Sequence, residues 1–267
     1  MDRHVLDYFK ESSGGEAHGE SYHRVIPLHE ESLSYERVQE LVPKMPRGWY
    51  ELCHLPVEDR LEFTLSYWLS KFSFFPQFVP QISAFFENVE DIGIFLTQKF
   101  EEPFEAHFVY GLKDGSGFYQ GAVPIDEEEV YQLANQFSGV IFPQDYIAFL
   151  EIHNGFAKPG DSGVVSSDRV KKLHDELIVL FEKGDPILDW EKRSVDPTTL
   201  IPFYESFGAL SYQCFWDDWH PDQEMGNVYF SQEPRIFSDT KDARSASETM
   251  AFPSFIEWLV FYLGRVA

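Results

Sequence analysis

Positive charge is scarce in this sequence. Its 21 lysines and arginines face 45 aspartates and glutamates, giving a net charge of −24. The deficit runs through the whole chain: residues 1–124 carry a net −10 and residues 125–267 a net −14. Such a field repels nucleic acid and anionic membrane, and favours solubility or a basic partner. Cysteine is nearly absent. Cys53 and Cys214 lie far apart and form no Cys-x-x-Cys pair, which leads us to expect a reducing, cytoplasmic setting. No apolar run approaches the roughly 20 residues of a membrane span, and Met1 to Tyr22 lacks the apolar stretch of a signal peptide. Gly-x-Ser-x-Gly does not occur, so a nucleophile elbow is not expected. The glycines between Gly115 and Gly121 are followed by neither a helix nor a Lys-Ser or Lys-Thr pair, so they read as a hairpin turn and not as a phosphate loop. What the chain has in quantity is aromatic residues. They make up 17% of it, with 26 phenylalanines, enough for a packed core and too many for a disordered chain.

Pro124 to Phe156 is the most clearly punctuated stretch. Asp126 stands at an N-cap position with Glu129 three residues later, the spacing of a capping box. Val130, Leu133, Ala134 and Phe137 follow at i, i+3, i+4 and i+7, one face of a helix that Gly139 ends. Pro143 suits the first turn of a second helix. Tyr146, Phe149, Leu150 and His153 line one face of that helix, which places His153 in its last turn beside the helix dipole, and Asn154-Gly155 closes it.

The string Phe142-Pro143-Gln144-Asp145-Tyr146, then Phe149-Leu150, then Asn154-Gly155, resembles the "LP-x-DY-x-x-FL-x-x-x-NG" signature of the SMI1/KNR4 (SUKH) superfamily. Phe142 replaces the usual Leu, and Phe156 stands where a second Gly often follows. Further pieces occur in the family's order: Ile201-Pro202-Phe203, Phe207-Gly208, Phe215-Trp216-Asp217, Gly226-Asn-Val228, and a closing helix from Ser254 with Phe255, Trp258, Leu259 and Tyr262 on one face. The family's Asp-rich turn is only partly reproduced, since Gly208 is followed by Ala-Leu-Ser. The resemblance covers about residues 124–263. It implies an α+β fold, a mostly antiparallel sheet packed by helices, over residues 125–267.

Residues 1–124 resemble no family and read as helices followed by strands. Helices are expected at Ser34–Val42, at Asp59–Phe72 with a stripe of Leu61, Leu65, Trp68, Leu69 and Phe72, and at Pro80–Phe86. The period then changes to two over Ile92–Thr97, Glu105–Leu112 and Gly117–Val123, which predicts a three-stranded meander. This region either forms its own small domain or extends the sheet that follows.

Candidate chemistry is sparse. Cys53 precedes His54, but neighbours in an extended segment point opposite ways. Asp217 to Glu224 is the densest polar group and a candidate oxygen-ligand loop, although its spacing fails the calcium-loop pattern. The resemblance implies a non-enzymatic protein-binding module without a cofactor or metal, since family members include immunity proteins that neutralise toxins, and regulators that act through protein partners. A metal-assisted hydrolase using the 217–224 loop and a regulatory or scaffold protein stand as alternatives. The expected partner face joins Asn154 and Phe156, the latter as an exposed aromatic on a turn, with Trp216, Asp217, Asp218, Trp219 and Asp222. Aromatic anchors ringed by carboxylates suit a basic toxin domain.

Overall fold

A computed structural model describes the chain except residues 2, 10–21, 116, 185, 207–208, 222, 242–245 and 265–267. The chain divides into two compact units: Met1–Pro124 with Ile152–Gly160, and Ile125–Glu151 with the residues from Asp161 onward. The segment Ile152–Gly160, expected with the C-terminal region, therefore belongs to the first unit.

In chain order the first unit holds α1 (Arg3–Tyr8), β1 (Arg24–Pro27), α2 (Tyr35–Leu41), α3 (Arg47–Leu52), α4 (Val57–Lys71), α5 (Val79–Glu87), β2 (Val89–Gln98), β3 (Glu105–Leu112), β4 (Phe118–Gly121) and β5 (Phe156–Ala157). The strands lie in the order β1-β2-β3-β4-β5, each antiparallel to the next. The meander read from the sequence corresponds to β2–β4. The short strands β1 and β5 are not anticipated, because segments of four and two residues show no period. From Asp91 to Thr97, β2 is buried at every position, which means that both sheet faces are covered. Val5, Phe9 and Tyr22 cluster with Phe95, Val109 and Phe118 on one face. Trp68, Phe85 and Phe86 meet Tyr110 on the other, with ring centroids 5.8–6.0 Å apart.

Helix α4 is rotated from its expected stripe. Arg60, Thr64 and Trp68 are its buried positions, while Leu61, Leu65 and Leu69 are half-buried. A buried arginine is tolerated only when paired. Arg60 donates to the Ile92 carbonyl at 2.6 Å and lies 3.0 Å from the Asp91 carboxylate.

The second unit holds α6 (Glu127–Gln136), α7 (Gln144–Leu150), β6 (Gly163–Val164), α8 (Ser167–Glu182), β7 (Leu200–Ser206), β8 (Ser211–Trp216), β9 (Asn227–Gln232), β10 (Arg235–Phe237), α9 (Ala246–Thr249), β11 (Ala251–Phe252) and α10 (Phe255–Gly264). Its sheet runs β6-β7-β8-β9, and both β10 and β11 pair with β9. All pairs are antiparallel, and the fold is α+β. The capping box at Asp126 and Glu129 is formed on both sides, and Gly139 takes the left-handed φ of +88° that its position requires. The core is an aromatic cluster. Phe203 and Phe215 rings lie 4.3 Å apart, Tyr146 sits 4.9 Å from Phe215, and Trp258 sits 4.8 Å from Phe203. Phe207 and Gly208 lie outside the described residues. Among the described residues no helix is long and apolar enough to cross a membrane.

The aspartate of the signature ties two helices of this unit together. Asp145 is fully buried. Its Oδ1 accepts from the Tyr146 N–H at 2.9 Å and its Oδ2 from the Ile256 N–H at 2.8 Å. It therefore caps the start of α10 from another helix, beside Ser254, whose hydroxyl accepts from the Glu257 N–H at 3.4 Å. Burial outweighs those two donors and pushes the Asp145 carboxyl up to about 6.

Candidate functional site

Among the described residues, two places combine exposed aromatic surface with charge. The first is a pocket of about 270 Å³ in the first unit, between α3 and α4. Trp49, Phe63, Tyr67 and Trp68 stand around it, with Phe108 and Tyr110 of β3 and His153 also lining it. The floor is held by a chain of hydrogen bonds. Trp68 Nε1–H donates to the Tyr110 hydroxyl at 2.9 Å, which lies 2.6 Å from His153 Nε2. His153 Nδ1 is 3.3 Å from the Ala122 carbonyl. A neutral imidazole with its proton on Nδ1 satisfies every step of this chain. Burial pushes His153 down to about 3, so it is neutral at ordinary pH. It is not the helix-end cation expected from the sequence: α7 stops at Leu150, and the ring packs on Gly121, where a Cβ would come within 2.3 Å of it.

Two of the three aromatic anchors expected on the partner face, Phe156 and Trp216, are core residues. Phe156 is 2% exposed and lies on β5, its ring stacked 5.2 Å from Tyr119 and 5.6 Å from His153. A large side chain at the glycine position fits because the first unit's aromatic cluster receives it. Asn154 is 9% exposed in the same unit. In the second unit, Trp216 is buried and meets Phe237 edge-on at 5.3 Å. Trp219 is half-buried over Gly226, where an added Cβ would meet its ring at 2.5 Å. Asp217 is half-buried and Asp218 exposed. Asp222 lies outside the described residues.

The second place is this acidic loop with the hairpin at residues 188–194. Leu188 bridges Ser194, and Asp189 accepts from both the backbone N–H and the Nε–H of Arg193 at 2.8 and 2.7 Å. Trp190 stands at the hairpin tip, 47% exposed beside Leu188 at 52%. The Thr199 hydroxyl donates to Asp218 at 3.2 Å, and the Asp217 N–H donates to the Thr199 carbonyl at 2.9 Å, which fixes the acidic loop against the end of the same segment. The signal available in the sequence was a lone tryptophan in a polar, Pro-bounded loop.

Neither place assembles a nucleophile with a base. Cys53 does approach His54, at 3.3 Å, because both lie in the turn that ends α3 and not in an extended segment. The thiol is nonetheless pushed up to about 11 by burial, and His54 Nδ1 lies 2.7 Å from the Tyr50 carbonyl, so the pair holds no thiolate at neutral pH. Among the described residues no three His, Cys, Asp or Glu side chains converge to hold a metal ion.

No curated protein and no solved structure matches the chain. Residues 124–260, just over half of it, match the SMI1 / KNR4 family (SUKH-1). They run from the end of the first unit through the signature helices, the sheet β6–β11 and most of α10. With that match, and with the signature residues Asp145, Tyr146, Phe149 and Leu150 all buried in an α+β core, the chain belongs to the SMI1 / KNR4 (SUKH-1) family, which includes immunity proteins.

Proposed function

We propose that this protein acts by binding a basic protein partner, as an immunity protein binds a toxin, and that the contact surface is the loop face of the second unit. The observation that carries this reading is the exposed pair Leu188 and Trp190 on the segment whose end, Thr199, is hydrogen-bonded to Asp218. An exposed tryptophan supplies contact area with few rotatable bonds, and one such anchor often dominates affinity. The chain carries a net charge of −24, so a cationic surface is drawn in at a rate that falls with salt. The half-buried Trp219 is assigned to the edge of this surface. Phe156 and Trp216 do not belong to it, because both are core.

The test is capture of the product of a neighbouring gene by the purified protein, followed by titration of the complex. Trp190→Ala weakens the complex at least tenfold. The Asp217→Lys/Asp218→Lys double variant weakens it to a similar degree and flattens its salt dependence, while loss of the exposed Thr199–Asp218 hydrogen bond costs no more than about 1 kcal/mol of stability. A complex indifferent to both variants moves the interface elsewhere. Failure to recover a defined basic partner at low salt counts against the whole reading.

A further inference from the structure

We infer that the pocket between α3 and α4 receives a bulky apolar side chain from a lysine- or arginine-rich segment of a protein partner. This goes beyond the surface proposed for the second unit and does not rest on it.

The pocket's shape and chemistry point to an apolar guest. Trp49 and Leu52 come from α3, Phe63, Tyr67 and Trp68 from α4, and Phe108 from β3. The polar atoms of the floor are already engaged. The Thr64 hydroxyl donates to the Arg60 carbonyl at 2.7 Å, and the Trp68 indole N–H and the Tyr110 hydroxyl are used in the chain that ends at His153. No pocket residue is among the buried side chains that lack a hydrogen-bond partner. A polar guest would give up its hydration and find nothing in exchange. The volume of about 270 Å³ is below the roughly 300–1,000 Å³ of pockets that enclose a whole small ligand, so a single side chain is the better fit. The rim is apolar too: Phe63 is 61% exposed and Tyr67 44%.

Charge says what carries that side chain. Glu58, Asp59 and Glu62 are exposed on the first turns of α4 and pair with no basic group among the described residues. Asp59, Phe63 and Tyr67 fall at i, i+4 and i+8, so the carboxylate continues the row of rim rings. The nearby cations are already committed. Arg47 is paired with Glu51 at 2.8 Å, and Lys71 lies over the Tyr67 ring at 5.6 Å. Apolar walls beside unpaired carboxylates complement a segment in which an apolar residue is flanked by lysine or arginine.

Gly48 makes the inference testable without damage to the core. It lines the pocket, and an added Cβ there meets nothing within 4 Å. The probe is a dye-labelled peptide, Lys-Lys-Trp-Leu-Lys-Lys, followed by fluorescence anisotropy at low salt. Controls are the same peptide with Gly-Gly at its centre and the same centre flanked by glutamates. The full peptide binds at least tenfold more tightly than either control. Gly48→Phe, which fills the mouth, weakens it at least tenfold. Asp59→Lys/Glu62→Lys, confined to the surface, weakens it about fivefold and serves if Gly48→Phe does not fold. Equal binding of the Gly-Gly peptide, or full binding to Gly48→Phe, overturns the inference. Free indole binding as tightly as the peptide also overturns it, and makes the occupant a small apolar molecule. None of these outcomes depends on Trp190.

Discussion

One deeply buried ionisable group of the first unit is a base, His153; one of the second is an acid, Asp145. They lie eight positions apart in one short stretch of the family signature, yet each belongs to a different compact unit. Both are hydrogen-bonded to the backbone, and burial disfavours the charged form of each. The consequences are opposite. His153 gives up its proton and rests neutral between Tyr110 and Ala122. Asp145 holds its proton more tightly than an exposed aspartate, although two backbone N–H groups pull the other way. The same physics therefore makes one unit sensitive to acid and the other sensitive to base. The comparison also shows that a contiguous motif need not be one structural device. Its first half builds the second unit's core, and its end, His153 to Phe156, builds the first unit's core.

Removing the ring that completes the first unit breaks this comparison most severely. Phe156 is 2% exposed and touches Trp68, Tyr110, Tyr119 and His153. Phe156→Ala destabilises the first unit by about 3–5 kcal/mol, the range for a buried phenylalanine. Urea denaturation followed by tryptophan fluorescence measures it, since Trp68 reports from the same cluster. A change below about 0.5 kcal/mol would mean that the ring is at the surface, as the sequence alone suggested.

The pH response sharpens the comparison, and its sign differs between the units. His153 falls from 6.5 to about 3 on folding. Its contribution is fully present above 6.5 and is lost as pH falls toward 3, about 2 kcal/mol of it by pH 5. Asp145 rises from 3.8 to about 6. Its contribution is fully present below 3.8 and is lost as pH rises through 6, about 3 kcal/mol in all. Hydrogen exchange resolved by residue, corrected for intrinsic rates, reads the two separately. On going from pH 7 to pH 5, protection falls around His153 and rises around Asp145. His153→Gln flattens the first response and Asp145→Asn the second. Parallel responses in the two units would refute the assignment.

The elements that the sequence made legible are those whose local signals agree with their packing. The capping box at Asp126, the glycine at 139 and the stripe Phe255, Trp258, Leu259 and Tyr262 are local patterns, and each stands as read. The change to a period of two between Ile92 and Val123 gave β2–β4. What stayed hidden depends on partners distant in sequence. Arg60 and Thr64 are buried on α4 because Asp91 and Ile92 receive the arginine, 31 and 32 residues later. Phe156 looked exposed because the neighbouring turn was visible and Tyr119 and Trp68 were not. The site was less legible than the fold for the same reason. A pocket between α3 and α4 exists only once the helices are packed, and Trp190 is exposed only because its hairpin closes through Asp189 and Arg193. Aromatic residues as such did not separate core from surface in a chain with 26 phenylalanines and six tryptophans.

The smallest expected effect falls on the second unit alone. Helix α6 begins with a reciprocal pair: the Glu129 N–H donates to Asp126 Oδ1 at 2.9 Å, and the Asp126 N–H donates to Glu129 Oε2 at 3.0 Å. Glu127 and Glu128 occupy the first turn, where negative charge is favoured by the helix dipole. The helix buries Leu133, and Phe137 follows it into the core, so its start is held mainly by the cap. Asp126→Ala removes the acceptor and leaves the N3 amide to water, which costs about 1 kcal/mol. Glu129→Gln keeps an acceptor for the Asp126 N–H and costs only a few tenths of that. Exchange at the amides of α6 registers the difference first, before any shift in the first unit. If Asp126→Ala loosened His153 and Phe156 as much as α6, the two units would unfold as one, and the opposite pH responses would cancel in the whole chain instead of separating.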